Sequence, residues 1–403
     1  MSLPSNTDNP QVRRSERVCA ACGHSLRAGI LYFQQDLPIQ SCLQPSAAAE
    51  ARAIERRDLT LVGCTGCGLV FNRSFDPATQ RFDIGYEETQ AFSAVFRAFA
   101  DRLVDALVER WNPADATVVE IGCGKGDFLE SLCQRAGCRG IGIDPAFEPG
   151  RRPAVSEVSF ERHLFGAGDV GRRADFLICR HTLEHIGPVG EFLRQVADFC
   201  RAGGVREVFF EVPDARRIVA EGAFWDVYYE HANYFDARAF ETAFEHAGMT
   251  VTGTRALFHE QYLGLFATLQ HDQDPLPTDA SATLAAWRGL EDARADWERR
   301  LEAHAAPIVI WGSGSKGVAF LAGADRKHRV VAAVDINPHR QGRFMPGTGQ
   351  PIIAPEALIA LQPATVIIMN PAYRDEIRDQ LAGLGLDPRI DIVGMQRDEA
   401  DCS

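Results

Sequence analysis

The chain has 403 residues, 46% hydrophobic and 24% charged, with a net charge of −13. This length exceeds one typical domain and predicts two or three, each able to bury a core. The acidic balance excludes a chain that grips nucleic acid nonspecifically along its whole surface. The opening MSLPSNTDNPQVRRSER has no apolar export core, and no stretch approaches the roughly eighteen apolar residues of a membrane span. A cytoplasmic protein with neither membrane nor nucleic acid as partner is expected. Its eleven cysteines then predict metal ligands and buried thiols rather than disulfides.

VCAACGH places Cys19 and Cys22 in one CxxC knuckle, and LVGCTGCGLVFN places Cys64 and Cys67 in another. Each knuckle ends in Gly, which permits the tight turn that brings both thiolates to one ion. Two such pairs predict a tetrahedral zinc site of four thiolates. With no open coordination position, the zinc is expected to be structural. Cys42, between the knuckles, has no assigned partner.

ATVVEIGCGKGDFLESLCQRAGCRGIGIDPA reads as strand TVVEI, turn GCGKG, helix DFLESLCQRA and strand GIGID. Such a βαβ unit signals an α/β fold. Glu120, Gly122, Gly124 and Gly126 alternate through the turn, and Asp144 ends the second strand. The acidic residue and the G-x-G-x-G spacing favour S-adenosylmethionine over a dinucleotide. The glycines admit the methionine and ribose portions, and Asp144 accepts from the ribose hydroxyls. This resembles motif I of class I methyltransferases.

DFLICR is the next strand and VGEFLRQVADF the next helix. His181 and His185, with Glu184, lie on their connection, where doubly wound folds bind ligands. His181 is assigned to the methyl-donor side. REVFFEVPD is a further strand. After one short helix comes YYEH, Tyr228 to His231, which can reach the same rim.

APIVIWGSGSKGVAFLAGA carries Gly312, Gly314 and Gly317 at dinucleotide spacing, and HRVVAAVD ends at Asp335. The following INPHRQGRFMPGTGQPII is rich in Gly, Pro and cations and fits a phosphate clamp better than an NAD ribose site. Residues 279–303 read as one long helix bridging two domains.

The order of CAAC…CTGC, EIGCGKG, TLEHI, EVPD…YYEH…YF and VDINPHRQGRFMPGTGQPIIAPE resembles, over nearly the whole chain, the zinc-containing C-methyltransferases acting on nucleotide-linked keto-deoxysugars. The resemblance implies a zinc-binding module at 1–75, a class I S-adenosylmethionine methyltransferase domain at 76–275 and a Rossmann-like α/β domain at 276–403. It implies that the last domain holds the substrate's nucleotide rather than NAD. It also implies Tyr228, Glu230, His231 and His185 as active-site residues. Tyr229 stands where the family quartet has a histidine, and HEQYLGLFA where the sugar enzymes carry His-Gly-Gly-Ser-Leu-Arg.

The chemistry expected is methylation of a carbon beside a ketone through an enolate. His231 is the expected base and Glu230 its orienter or that of a neighbouring donor. Tyr228 and His185 donate to the oxyanion, and Tyr86 closes over the site or packs between domains. Between His231 and His185 the sequence does not choose the base. The competing readings are an O- or N-methyltransferase of a small metabolite, an NAD-linked oxidoreductase resting on Gly312–Gly317, and a noncatalytic zinc scaffold.

Overall fold

A computed structural model describes residues 18–26, 29–82, 85–151, 155–269, 280 and 284–395. The polar N-terminal segment, the domain boundary expected at 275 and most of residues 279–283 lie outside these.

Val18–Ser25 forms a narrow loop carrying the first cysteine pair. Strands β1 (Ile30–Pro38) and β2 (Arg56–Gly63) run antiparallel, joined through the short helix Ala48–Arg52, and β3 (Val70–Asn72) pairs with β2. The segment between the two knuckles thus carries a strand, a loop, a short helix and a second strand.

The central sheet begins with β4 (Thr117–Ile121), β5 (Arg139–Ile143), β6 (Val158–Glu161), β7 (Phe176–Arg180) and β8 (Glu207–Pro213). All five are parallel, in the order β8-β7-β4-β5-β6. β4 and β7 are nearly unbroken apolar runs, as strands covered on both faces must be. The helix Asp127–Ala136 buries Phe128, Leu129, Leu132 and Cys133, one stripe at helical spacing. Helix Ala94–Trp111 packs nearby, started by Ser93 Oγ accepting from Phe96 N at 3.2 Å.

The two-residue strand β9 (Asn233–Tyr234) leaves this domain and pairs with β3, completing the four-stranded N-terminal sheet. β10 (Thr250–Leu257) and β11 (Tyr262–Thr268) then form a hairpin, with β11 antiparallel to β8. The knuckles share a continuous core with the central sheet, because Cys19, Ala21 and Cys67 pack with Val189, Leu193 and Phe240. Gly190 makes the contact close. Its N–H donates to Ala20 O at 2.9 Å, and a Cβ there would lie 2.6 Å from the same oxygen.

The bridging helix differs from expectation. Leu284 and Ala285 are helical, Ala286–Gly289 tighten into a 3-10 turn, and Leu290–Ala303 is α-helical. Gly289, the poorest helix former of the run, sits where the two geometries meet. The last sheet is wholly parallel. It comprises β12 (Ile308–Trp311), β13 (Val330–Val334), β14 (Ile352–Ile353), β15 (Thr365–Ile368) and β16 (Arg389–Ile392), in the order β14-β13-β12-β15-β16. Among the described residues no helix is long and apolar enough to cross a membrane.

Candidate active site

In the parallel part of the central sheet and in the last sheet the chain order reverses beside the first strand, at β4 and at β12, and a crevice opens at the strands' carboxyl ends. Both crevices open into one cavity of about 820 Å³, lined by Gly122, Asp144, His185, His231, Lys316 and Asn370 among others.

The first glycine loop builds one wall. Gly122, Gly124 and Gly126 all have positive φ, from +54° to +84°, a conformation costly to any residue with a Cβ. At Gly122 a Cβ would lie 1.9 Å from Thr182 Oγ1. Asp144 pins the loop, accepting from Gly124 N at 2.8 Å and from Ala146 N at 2.7 Å. Each oxygen keeps lone-pair capacity for a cavity hydroxyl. Glu120 lines the same wall, and one of its buried oxygens has no partner. Burial raises its pKa to about 8. This is a fitting place for an ammonium group. Gly126 lies outside the cavity, its α-carbon against Phe160. His181 lines the cavity in a left-handed conformation (φ +49°), its Nε2 2.7 Å from Glu211.

YYEH points three ways. Tyr229 turns into the N-terminal core, where its hydroxyl donates to Ser74 O at 2.8 Å. Tyr228 and His231 meet with ring centres 4.0 Å apart and planes tilted by 42°, and both face the cavity. Glu230 is 2% exposed and stands behind the cavity wall, accepting from Tyr86 OH at 3.1 Å and from Ser41 Oγ. It therefore does not orient His231 directly; the donor it orients is Tyr86. The segment is held from both sides. Ala232 N donates to Glu184 O at 2.8 Å, and Asn72 N donates to Ala232 O at 2.9 Å.

His185 and His231 meet with ring centres 5.0 Å apart, and one nitrogen of each lies within 4.8 Å of a Glu184 oxygen. Burial pushes the His231 pKa well below its ordinary value and that of His185 down to about 4. Both imidazoles are neutral at pH 7. His185 Nδ1 is 2.9 Å from the Glu230 carbonyl oxygen. A carbonyl only accepts, so Nδ1 carries the proton and Nε2 the lone pair. Burial raises Glu184 and Glu230 to about 7.

A depressed histidine pKa has a measurable consequence. Below pH 6.5 the unfolded chain takes up a proton at His185 that the folded chain refuses until about pH 4. Stability is therefore lost as pH falls through this window. Relative to His185→Gln, the wild type should lose on the order of 3 kcal/mol between pH 7 and pH 4. Parallel denaturant titrations of the two proteins check this.

The second glycine loop forms the opposite wall. Asp335 is engaged from within, chiefly at one oxygen. Its Oδ2 accepts from Ser313 N at 3.0 Å, from Ser313 Oγ at 2.5 Å and from Arg340 Nη1 at 3.1 Å, and its Oδ1 accepts from Asn337 N at 2.9 Å. Lys316 Nζ lies 2.9 Å from Asp226, which also pairs with Arg217. Arg340 of the cation-rich loop is itself committed, to Asp335 and to Glu87 O.

The four knuckle thiols converge, with Cys19 Sγ 3.6 Å from Cys67 Sγ and Cys22 Sγ 3.6 Å from Cys64 Sγ. Cys42 is not merely a spare thiol, since it lines the cavity 3.5 Å from Ser315 Oγ. Sequence reasoning missed Ser41, Glu88, Asp226, Gln261 and Lys316, which come to the site from segments with no common motif.

A methyltransferase-domain family model matches residues 92–253, and a C-methyltransferase C-terminal domain model matches residues 290–386. C-methyltransferase NovU of Streptomyces niveus is 25% identical over 395 residues, 90% of this chain and 91% of that one. Magnesium protoporphyrin IX methyltransferase of Synechocystis PCC 6803, solved with bound SAH, is 16% identical with a TM-score of 0.34, over 44% of this chain and 84% of that one. The Burkholderia thailandensis 1,6-didemethyltoxoflavin-N1-methyltransferase is 14% identical with a TM-score of 0.35, over 53% and 96%. With a methyltransferase-domain match on the first glycine loop and a C-methyltransferase-domain match on the second, this chain is an enzyme of the class I S-adenosylmethionine-dependent C-methyltransferase type.

Proposed function

We propose that the enzyme methylates a carbon beside a ketone, through an enolate, on a nucleotide-linked sugar or a related metabolite. The observation that carries this reading is the pair of buried neutral imidazoles, His231 and His185, beside Tyr228 in the cavity of the donor loop. Methyl transfer to an existing oxygen or nitrogen lone pair does not require a base for a C–H bond. Methyl transfer to carbon does.

S-adenosylmethionine supplies an electrophilic methyl group. His231 takes the proton from the carbon beside the carbonyl, and the C–H electron pair becomes the enolate. Tyr228 donates to the enolate oxygen, a contribution worth on the order of 10²–10³ in rate. Attack of the enolate carbon on that methyl would break its bond to sulfur, whose electron pair leaves with the demethylated thioether, while the proton stays on the imidazole. The second glycine loop and Asn370 bound the far end of the cavity, where the nucleotide part is held. The engagement of Asp335 Oδ2 by Ser313 and Arg340 supports a tail that does not bind NAD. A structural zinc held by Cys19, Cys22, Cys64 and Cys67 belongs to the same proposal.

The test is incubation with nucleoside-diphosphate keto-deoxysugars and methyl-labelled S-adenosylmethionine, followed by NMR of the product. A label on carbon supports the reading, and a label on oxygen or nitrogen overturns it. Calorimetry separates the two loops. Asp144→Ala should weaken donor binding by about 1–3 kcal/mol, roughly five- to 150-fold. NAD titrated into the wild type should give no binding heat, and a fitted NAD site would reverse the assignment of the loops.

A further inference from the structure

The loop between the cysteine knuckles and the second glycine loop meet behind the active-site wall. Ser41 Oγ donates to Glu230 Oε2. Ser315 Oγ, at the first position of the helix Ser315–Ala324, lies 2.7 Å from Ser41 Oγ. Cys42 Sγ lies 3.5 Å from Ser315 Oγ. Tyr86 OH donates to the other carboxylate oxygen, Oε1.

The donor count fixes the direction of this chain. A hydroxyl has one proton. Above its midpoint near 7 the Glu230 carboxylate is ionised and takes the Ser41 proton, so the Ser41–Ser315 bond then uses the proton of Ser315. The Ser315 oxygen is then left to accept from the Cys42 thiol. Each group donates to the next, towards Glu230. Tyr86 also gives its proton to Glu230, so its oxygen presents lone pairs, not a donor, to the cavity.

We infer that Ser41 and Ser315 are positioning residues for methyl transfer, a hydroxyl chain that fixes the Glu230 carboxylate and through it Tyr86. The second glycine loop, despite its dinucleotide spacing, buttresses the catalytic wall. The three links come from three parts of the chain: the inter-knuckle loop, the central domain and the C-terminal domain. The step from Tyr86 to catalysis rests on the enolate reading above; the chain of hydrogen bonds does not.

The test therefore reads Glu230 directly. Protein is labelled with ¹³C at the glutamate carboxyl and the tyrosine phenol carbon, and Glu230→Gln and Tyr86→Phe identify the two signals. The groups facing Glu230 are Ser41 and Cys42 from the inter-knuckle loop, Tyr86, Tyr228 and Ser315. Ser41→Ala removes a donor to the carboxylate, so the Glu230 midpoint should rise by about one pH unit. Ser315→Ala should raise it by less, and both should move the Tyr86 signal. Ser41→Thr should restore the wild-type midpoint. With a keto-sugar acceptor, the loss in Ser41→Ala should fall on kcat, with acceptor KM and donor affinity unchanged. An unmoved Glu230 midpoint in both alanine variants overturns the inference. A shift in Ser41→Ala alone removes the C-terminal loop from it. Should Ser41→Ala fail to fold, the half-buried Ser315 and the Ser41→Thr variant still decide. A correct Glu230 shift with no effect on turnover would overturn the positioning role in methyl transfer, with the hydrogen bonds themselves intact.

Discussion

Replacing Cys64 with serine is expected to remove one zinc ion per chain and to lower the melting temperature of the whole protein. The thiol pairs at 3.6 Å match the edge of a tetrahedron with 2.3 Å metal–sulfur arms, about 3.8 Å. Thiols at that spacing around one point suit a single ion better than two disulfides, in which each sulfur pair closes to about 2.0 Å. A four-thiolate zinc supplies on the order of 10 kcal/mol towards folding, which exceeds what one buried side chain offers. The effect cannot stay local, because the knuckle residues share a core with Val189, Leu193 and Phe240. It also reaches chemistry. β3 follows the second knuckle and pairs with β9, two residues after His231. Loss of the metal should therefore cost turnover more than donor affinity, since Asp144 holds the first glycine loop through its own bonds to Gly124 and Ala146. Metal analysis, a thermal melt and donor calorimetry on the same preparation check this. Freshly purified wild type without zinc, or Cys64→Ser with an unchanged melt, would refute it.

Local pattern made the central domain readable. TVVEI, DFLESLCQRA and REVFFEVPD carry their structure in their own periodicity, and they fold as strand, helix and strand at nearly the expected bounds. The glycine loop was readable because positive φ demands glycine at Gly122, Gly124 and Gly126. Pairings across long separations were not. Nothing in NY or VFN says that Asn233–Tyr234 completes a sheet begun near the first cysteine. Glu230 shows the same limit. Its neighbour in sequence is His231, yet its carboxylate belongs to Tyr86 and Ser41. The direction of a side chain in an irregular segment depends on partners that sequence proximity does not name. In the second glycine loop the spacing was read correctly as Rossmann-like. Asp335 there accepts from Ser313, Arg340 and Asn337, a set of partners that the motif does not announce.

His231→Ala should keep the fold and donor binding while turnover falls by roughly 10²–10⁴, the usual worth of a positioned base. The imidazole is 3% exposed, faces the cavity and stays neutral because charging it there is costly. Its contacts with Tyr228, His185 and Tyr234 are aromatic, so truncation removes a base without stripping a charge from a buried partner. Tyr228→Phe should cost less, since it removes one donor and leaves the base. Isotope exchange tests the role apart from methyl transfer. With a keto substrate in heavy water, deuterium should enter the carbon beside the carbonyl even when the demethylated product replaces the donor. Exchange should vanish in His231→Ala and persist in Asp144→Ala at saturating ligand. Retained exchange in His231→Ala would pass the role to His185. That ring is prepared for it, because the Glu230 carbonyl holds the Nδ1 proton and leaves Nε2 with its lone pair. A double His185→Gln, His231→Ala variant would then have to abolish exchange. A lowered melt in His231→Ala that accounts for the lost turnover would instead mark the ring as packing beneath Ala232–Tyr234.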